Sequence, residues 1–247
     1  MRTSLALAAV LAMASVSAQA ATISVTDFSK SAYDAAVGTM SQAVVEDFES
    51  FGEGNVADGW SASAVGAFSS AGGVGSGGTV NDDVSRGNFA GNDGALLAIR
   101  DGNVYGRSST TSALTGDAED NMFLDSNDTF GISWVASLGG QAFNRILLTM
   151  TDAAEFGAIM RITVGDSVYE ATSLGNANPQ LVDIRFETSV TVANILFEHQ
   201  KNGSASRNDG FSLDDITLSA VPLPAGAWLL LSGFGALSVM RRRRGRA

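Results

Sequence analysis

Residues 181–188 read Leu-Val-Asp-Ile-Arg-Phe-Glu-Thr, and their alternation decides the fold. Val182, Ile184 and Phe186 take one parity while Asp183, Arg185 and Glu187 take the other, as the dry and wet faces of a β-sheet require. Working outward, further strand-like runs occupy 44–51, 60–68, 95–99, 129–136, 145–151, 158–164, 192–198 and 211–218. Gly-Asn, Asn-Asp-Gly, Gly-Asp and Asn-Gly turn signals fall between them. Only 29–40 carries a helical stripe, with Tyr33, Ala36, Val37 and Met40 on one face and Asp27 or Ser29 placed to cap it. Many strands, one short helix and no long helical crossover predict an all-β chain, an antiparallel β-sandwich of jelly-roll type.

The ends read differently from this body. Arg2, an apolar run from Leu5 to Val16 and the small-x-small pattern of Ala18-Gln19-Ala20 have the layout of a signal peptide over 1–20. The alternative is an N-terminal helix of the fold, but the run lacks an amphipathic stripe and is too short to cross a bilayer. The domain is therefore expected to span 21–220, beginning near Ala21.

Within 21–220, nine basic residues against 26 acidic ones give a formal charge of −17, which the basic ends reduce to −11 for the whole chain. Such a body is repelled by phosphate backbones, so no nucleic acid partner is expected; divalent cations and neutral polymers remain compatible with it. The chain has no cysteine, so its cohesion must come from the core or from bound metal. A single histidine, His199, excludes a multi-histidine zinc or iron site.

At the C-terminus, Pro222 and Pro224 separate the domain from an apolar segment, because neither has an amide donor and each disfavours helix before it. Ala225 to Met240 carries no charge. As a helix it would reach roughly 24 Å, somewhat short of a hydrocarbon core of about 30 Å. Arg241, Arg242, Arg243 and Arg244 follow, and arginines beside a span are retained on the cytoplasmic side, which leaves the domain outside.

This tail, 221–247, resembles the PEP-CTERM class of sorting signals in its VPLPA form: Val221-Pro222-Leu223-Pro224-Ala225, a transmembrane helix over 225–240, and the arginine-rich end 241–247. The resemblance implies a Gram-negative exported protein, handled by signal peptidase and then by an exosortase, a membrane-embedded transpeptidase of bacteria that make extracellular polysaccharide. The implied fate is a precursor anchored in the inner membrane, tail removal near the motif, and attachment or release at the cell surface. A permanent anchor is the alternative. Leu223-Pro224-Ala225-Gly226 lacks the threonine of a Gram-positive sortase signal.

Two acidic stretches stand out in the body. In 211–218, Phe211 and Leu213 share one parity while Ile216 and Leu218 share the other, so the alternation breaks at Asp214-Asp215. If one face of this strand is core, a β-bulge is required there, and it would aim both carboxylates into a common region. Two aspartates at a bulge with a glutamate from a neighbouring strand would suit calcium, a hard cation that takes oxygen ligands. Asp47-Phe48-Glu49, Gly59-Trp60 and Leu213-Asp214-Asp215-Ile216 are similar to the first and last strands of carbohydrate-binding-module jelly rolls. That resemblance implicates Glu49, Asp214 and Asp215 in binding a structural Ca2+; the alternative is a wet, acid-lined sheet edge.

Other candidates carry less chemistry. Gly73-x-Gly75-x-x-Gly78 has dinucleotide spacing but leads into Asn81-Asp82-Asp83 rather than a helix, so it reads as a loop. Asp117, Glu119, Asp120, Asp125 and Asp128 crowd one stretch without the ligand order of an EF-hand, and read as solvated acid. His199 closes a buried stripe with Ile195 and Phe197 and has no nucleophile beside it in sequence. Trp60 and Trp134 alternate with apolar neighbours as core residues do, although tryptophans can also stack on sugars. The sequence thus predicts an exported, non-enzymatic surface or matrix protein, with links to exopolysaccharide. Its alternatives are a calcium-bearing carbohydrate-binding module and a secreted glycan hydrolase, the last needing two positioned carboxylates that nothing in the sequence selects.

Overall fold

The computed structural model describes residues 20–71, 96–104, 106–126, 129–153, 159–172, 174, 177–201, 204–205 and 210–221. The signal-peptide segment before Ala20, the glycine-rich loop, Asp128, the sorting-motif residues Pro222 to Ala225 and Arg241 to Arg244 lie outside the described residues. Within them no helix is long and apolar enough to cross a membrane.

In chain order the elements are β1 (Ala21–Asp27), α1 (Lys30–Val37), β2 (Ala43–Glu46), β3 (Gly54–Asn55), β4 (Gly66–Ser70) and β5 (Ala98–Asp101). There follow β6 (Asn103–Val104), β7 (Arg107–Ser108), α2 (Thr111–Thr115), β8 (Met122–Asp125), β9 (Gly131–Ser137) and β10 (Phe143–Thr151). The chain then forms β11 (Ile159–Val164), β12 (Ser167–Thr172), β13 (Gln180–Val190), β14 (Val192–Lys201), β15 (Ser204–Ala205) and β16 (Ser212–Ala220).

The expectation of an all-β chain with antiparallel sheets holds. A larger sheet runs β1-β13-β10-β16-β8-β5-β3, with β2 also on β16; a smaller one runs β12-β11-β14-β9-β4, with β15 on β14. Both contribute to one apolar cluster: Ile146, Leu148, Val182 and Ile184 from the larger sheet meet Trp134, Ile162, Ile195 and Phe197 from the smaller. Trp134 is wholly buried there, stacked on Phe68 at 5.3 Å with its indole N–H donated to the Val65 carbonyl at 3.2 Å. It is a core residue, out of reach of a sugar. Trp60 is half-buried and meets Phe51 edge-on at 4.9 Å.

The stretch 181–188 is the middle of β13, and Val182 and Ile184 face the core as its alternation demands. Helix α1 starts where expected, at the Ser29 cap, whose hydroxyl accepts the Ala32 N–H at 3.2 Å. It ends three residues sooner than the apolar stripe, because the Thr39 and Met40 amides turn back to Ala36 and Val37 in tighter, three-residue bonds. Its Tyr33 packs with Leu147 and Leu181 on the outer face of the larger sheet.

Three expectations need correction. The strand expected over 44–51 stops at Glu46, since Phe48 takes a left-handed φ of 60° and turns the chain. Of 60–68, only the final residues belong to a strand, Trp60 making a single bridge to Phe68. Asp125 is no solvated loop acid: it ends strand β8, fully buried, with the Arg107 guanidinium 3.0 Å and that of Arg100 3.4 Å away. Strands β1 and β12 had no counterpart in the sequence reading.

Candidate functional site

The parity break at 214–215 is a β-bulge. Leu147 of β10 faces Thr217 and Thr149 faces Asp214, so two residues of β16, Asp215 and Ile216, stand opposite Leu148 alone. Asp215 takes the left-handed backbone that this needs, φ 49°. Leu213, Ile216 and Leu218 all reach the core, and the two neighbouring carboxylates turn to the other face, where the 109–111 segment covers them.

Asp214 Oδ2 accepts from the Ser109 hydroxyl at 2.6 Å, the Thr110 N–H at 3.0 Å and the Thr111 hydroxyl at 3.0 Å. Asp215 accepts from Thr110 Oγ1 at 2.5 Å and from the same Thr111 hydroxyl at 3.0 Å. Thr149 contacts Thr110 Oγ1 at 2.6 Å and the Asp214 carbonyl at 3.1 Å. Tyr33 closes the far side, its hydroxyl 2.9 Å from Thr217 and 3.3 Å from the Asp215 carbonyl.

Ser109, Thr110, Thr111 and Thr149 bring one hydroxyl hydrogen each to six hydroxyl contacts. The Thr111 and Thr149 hydroxyls are therefore each shared between two acceptors, a sharing that a proton within the acid pair or a cation among its oxygens would relieve. Oδ1 of Asp214, buried and without a hydrogen-bond partner, marks the same deficit.

Electrostatics agree. Burial, then the neighbouring Asp215 charge, pushes the Asp214 carboxyl well above its ordinary range, against the hydrogen bonds from Ser109 and Thr110. Burial raises Asp215 to about 6, with the Thr110 and Thr111 hydroxyls opposing and Asp47 adding to the rise. Tyr33 is raised as well, chiefly by burial.

Of the three expected calcium ligands, Asp214 and Asp215 come together and Glu49 does not join them. Glu49 Oε1 accepts the Met122 N–H at 2.8 Å, and the acids that act on it are Asp120 and Asp47. No group of three or more His, Asp or Glu side chains able to hold a metal occurs among the described residues. The pair alone has the donor chemistry of a hard-cation site: anionic oxygens, one of them unpartnered, beside hydroxyls and a carbonyl. The hydroxyl run Ser108-Ser109-Thr110-Thr111-Ser112 was visible in the sequence, but nothing local connects it to residues about a hundred positions away.

His199 is buried on β14, with its ring 5.1 Å from that of Phe211. At the other end of the larger sheet, Arg145 makes a two-pronged contact with Asp183, at 2.9 and 2.8 Å, and Arg185 donates to the same carboxylate. Burial raises Asp183, but these guanidinium bonds outweigh it and hold the carboxyl below its usual range. A cleft of about 430 Å³ opens beside them, where β16 ends at Ala220 and Val221 follows. Compared with known proteins, the chain matches no family model and no curated protein.

Proposed function

We propose that this protein is an exported, non-enzymatic β-sandwich domain, of jelly-roll type, displayed at or released from a Gram-negative cell surface through its C-terminal sorting signal. The observation that carries this reading is where the first and last described strands lie along the chain. Strand β1 starts at Ala21, the residue that the small-x-small pattern makes the mature N-terminus, and β16 finishes at Ala220, just ahead of the Val221-Pro222-Leu223-Pro224-Ala225 motif. Thr22, Arg185, Arg145 and Ser219 stand in one line across β1, β13, β10 and β16. Both chain ends therefore leave from the same end of the sheet, about 15 Å apart at the usual strand spacing. A domain hung from one membrane by its tail would face that end toward the bilayer.

Mass spectrometry of the mature chain tests the reading. Truncation near Pro224 is the expected result, and an intact arginine-rich end would make the tail an ordinary anchor. Replacing Arg241 to Arg244 with glutamate is expected to stop delivery; unchanged export and maturation would remove the basis for the membrane reading.

A second reading concerns the acid pair. The unpartnered buried oxygen of Asp214 favours a structural Ca2+ held by Asp214 and Asp215, as in carbohydrate-binding modules of this architecture. Such an ion would add stability by mass action, so calcium should raise the melting temperature and a chelator lower it. A melting temperature indifferent to both leaves the pair to a shared proton.

A further inference from the structure

The cleft beside Arg145 and Arg185 has its cause in strand register. Phe143 faces Ala220 of β16 and Arg145 faces Ser219, so Asn144 is one residue too many for that ladder. On its other side Phe143 faces Val190 of β13 and Arg145 faces Arg185, which leaves 186–189 opposite Asn144 alone. The ladder is broken there, as bulges break it, and the opening of about 430 Å³ has Asn144, Arg185, Ser41 and Ser219 among its walls, with Phe186 and Ala220 beside them.

Its electrostatics run against the rest of the body. Two guanidinium groups meet one carboxylate here, that of Asp183, whereas Lys30 with Asp34 and Arg161 with Glu170 pair one for one. Among the described residues no acid lines the opening. The cluster therefore carries a single net positive charge in a domain of formal charge −17.

That charge is also held in place. Arg145 Nη1 donates to the Ala36 carbonyl at 3.0 Å and to the Thr39 hydroxyl at 2.7 Å, while its Nε and Nη2 grip Asp183. Asp183 Oδ2 in turn accepts from Arg185 Nε at 3.1 Å and Nη2 at 2.8 Å. Two of the five N–H donors of Arg185 are used in this way. The outer edge of its guanidinium, Nη1 with the second hydrogen of Nη2, has no partner among the described residues, and the side chain is 61% exposed. The exposed Asn144 amide and Ser41 hydroxyl likewise make no hydrogen bond among the described residues.

We propose that this cleft binds a small hydroxylated monocarboxylate, of the sugar-acid type, with its carboxylate on the outer edge of Arg185. A planar fork of two N–H groups matches two carboxylate oxygens, and one surplus positive charge matches one negative one. Any further negative charge on the ligand is opposed by the acidic body, which excludes polyanions. The opening is far larger than a carboxylate. The Asn144 amide, both donor and acceptor, and the Ser41 hydroxyl supply the remaining walls with partners for ligand hydroxyls. Because Asp183 and Arg145 already fix Arg185, binding orders little that was free.

Isothermal titration of the full chain in mild detergent, with D-glucuronate as the probe and a chelator present, tests the proposal. Glucuronate should bind saturably and at least about tenfold more tightly than D-glucose, in which a hydroxymethyl group replaces the carboxylate. Arg185→Gln should abolish that preference while melting close to the parent, since Arg145 still holds Asp183. Arg185→Lys keeps the charge without the fork and should fall between the two. Asn144→Ala should weaken glucuronate about threefold, the loss of one neutral hydrogen bond. Arg161→Gln makes the same change of charge on the smaller sheet and should bind as the parent does. The proposal is overturned if glucuronate binds no more tightly than glucose, or if acetate or inorganic phosphate binds as tightly as glucuronate. It is equally overturned if Arg185→Gln leaves binding unchanged or Arg161→Gln weakens it as much. The measurement depends neither on tail processing nor on calcium, so it stands or falls apart from both readings above.

Discussion

The two sheets share one core and differ on their outer faces. In the smaller sheet, β11 alternates buried Met160, Ile162 and Val164 with half-exposed Ile159, Arg161 and Thr163. In the larger, every residue of β16 is buried, as is nearly all of β10. Helix α1 and the 107–115 segment make the difference by lying over β10, β16, β5 and β8. What they cover is largely polar: Thr149, Thr151, Ser212, Asp214, Asp215 and Thr217, together with Arg100 and with Asp125, which Arg107 of the covering segment meets. A face that is wet in one sheet has become a second, hydrogen-bonded interior in the other, and buried polar groups require partners at every atom.

That contrast can be broken most severely at Asp125. Its replacement by Ala removes the carboxylate shared by two fully buried guanidinium groups, and urea unfolding should show a loss of about 3–5 kcal/mol. Leu147→Ala, beneath α1, should cost about 3 kcal/mol, whereas Val135→Ala on the open face of the smaller sheet should stay within about 0.5 kcal/mol. Equal effects from these two would mean that α1 does not seal the larger sheet.

A titration of stability sharpens the comparison further. Asp215 has a folded value of about 6 against an ordinary 3.8, so the folded state holds its proton more tightly. Its contribution is most favourable below the ordinary value and is lost as pH rises to about 6, by at most about 3 kcal/mol, with Asp214 acting in the same direction. Metal-free protein should therefore unfold more readily at pH 7.5 than at pH 5, and Asp215→Asn should flatten that slope. Asp183 is opposite in sign: its depressed value stabilises at neutral pH and fades as pH falls below the usual carboxyl range. The smallest effect is expected at the helix cap, where Ser29→Ala should cost about 1 kcal/mol without altering the acid pair's pH response.

Much of this architecture was readable wherever a local period reports burial. The alternation at 181–188 marked β13, and the break at Asp214-Asp215 pointed to the bulge and to two carboxylates sharing one side. Three things escaped. Strand β1 follows the apolar N-terminal run, and its own few apolar residues, Ile23 and Val25, give little pattern. The acidity of 117–128 masked the burial of Asp125. Glu49 was named as a third ligand through the resemblance to the first strand of carbohydrate-binding modules, yet after the left-handed turn at Phe48 its carboxylate accepts from Met122.

By itself the chain of residues determined the strand-and-turn character, the acidity of the body and the need for a bulge in the last strand. These depend on side-chain parity and on charge, which are properties of neighbours along the chain. Only tertiary structure decided that hydroxyls from 109–111 would cap the acid pair and that Arg100 and Arg107 would meet Asp125. Such outcomes are set by which distant segments share a face, and the hydrogen bonds and ion pairs they make exist only once the sheets have closed over the core.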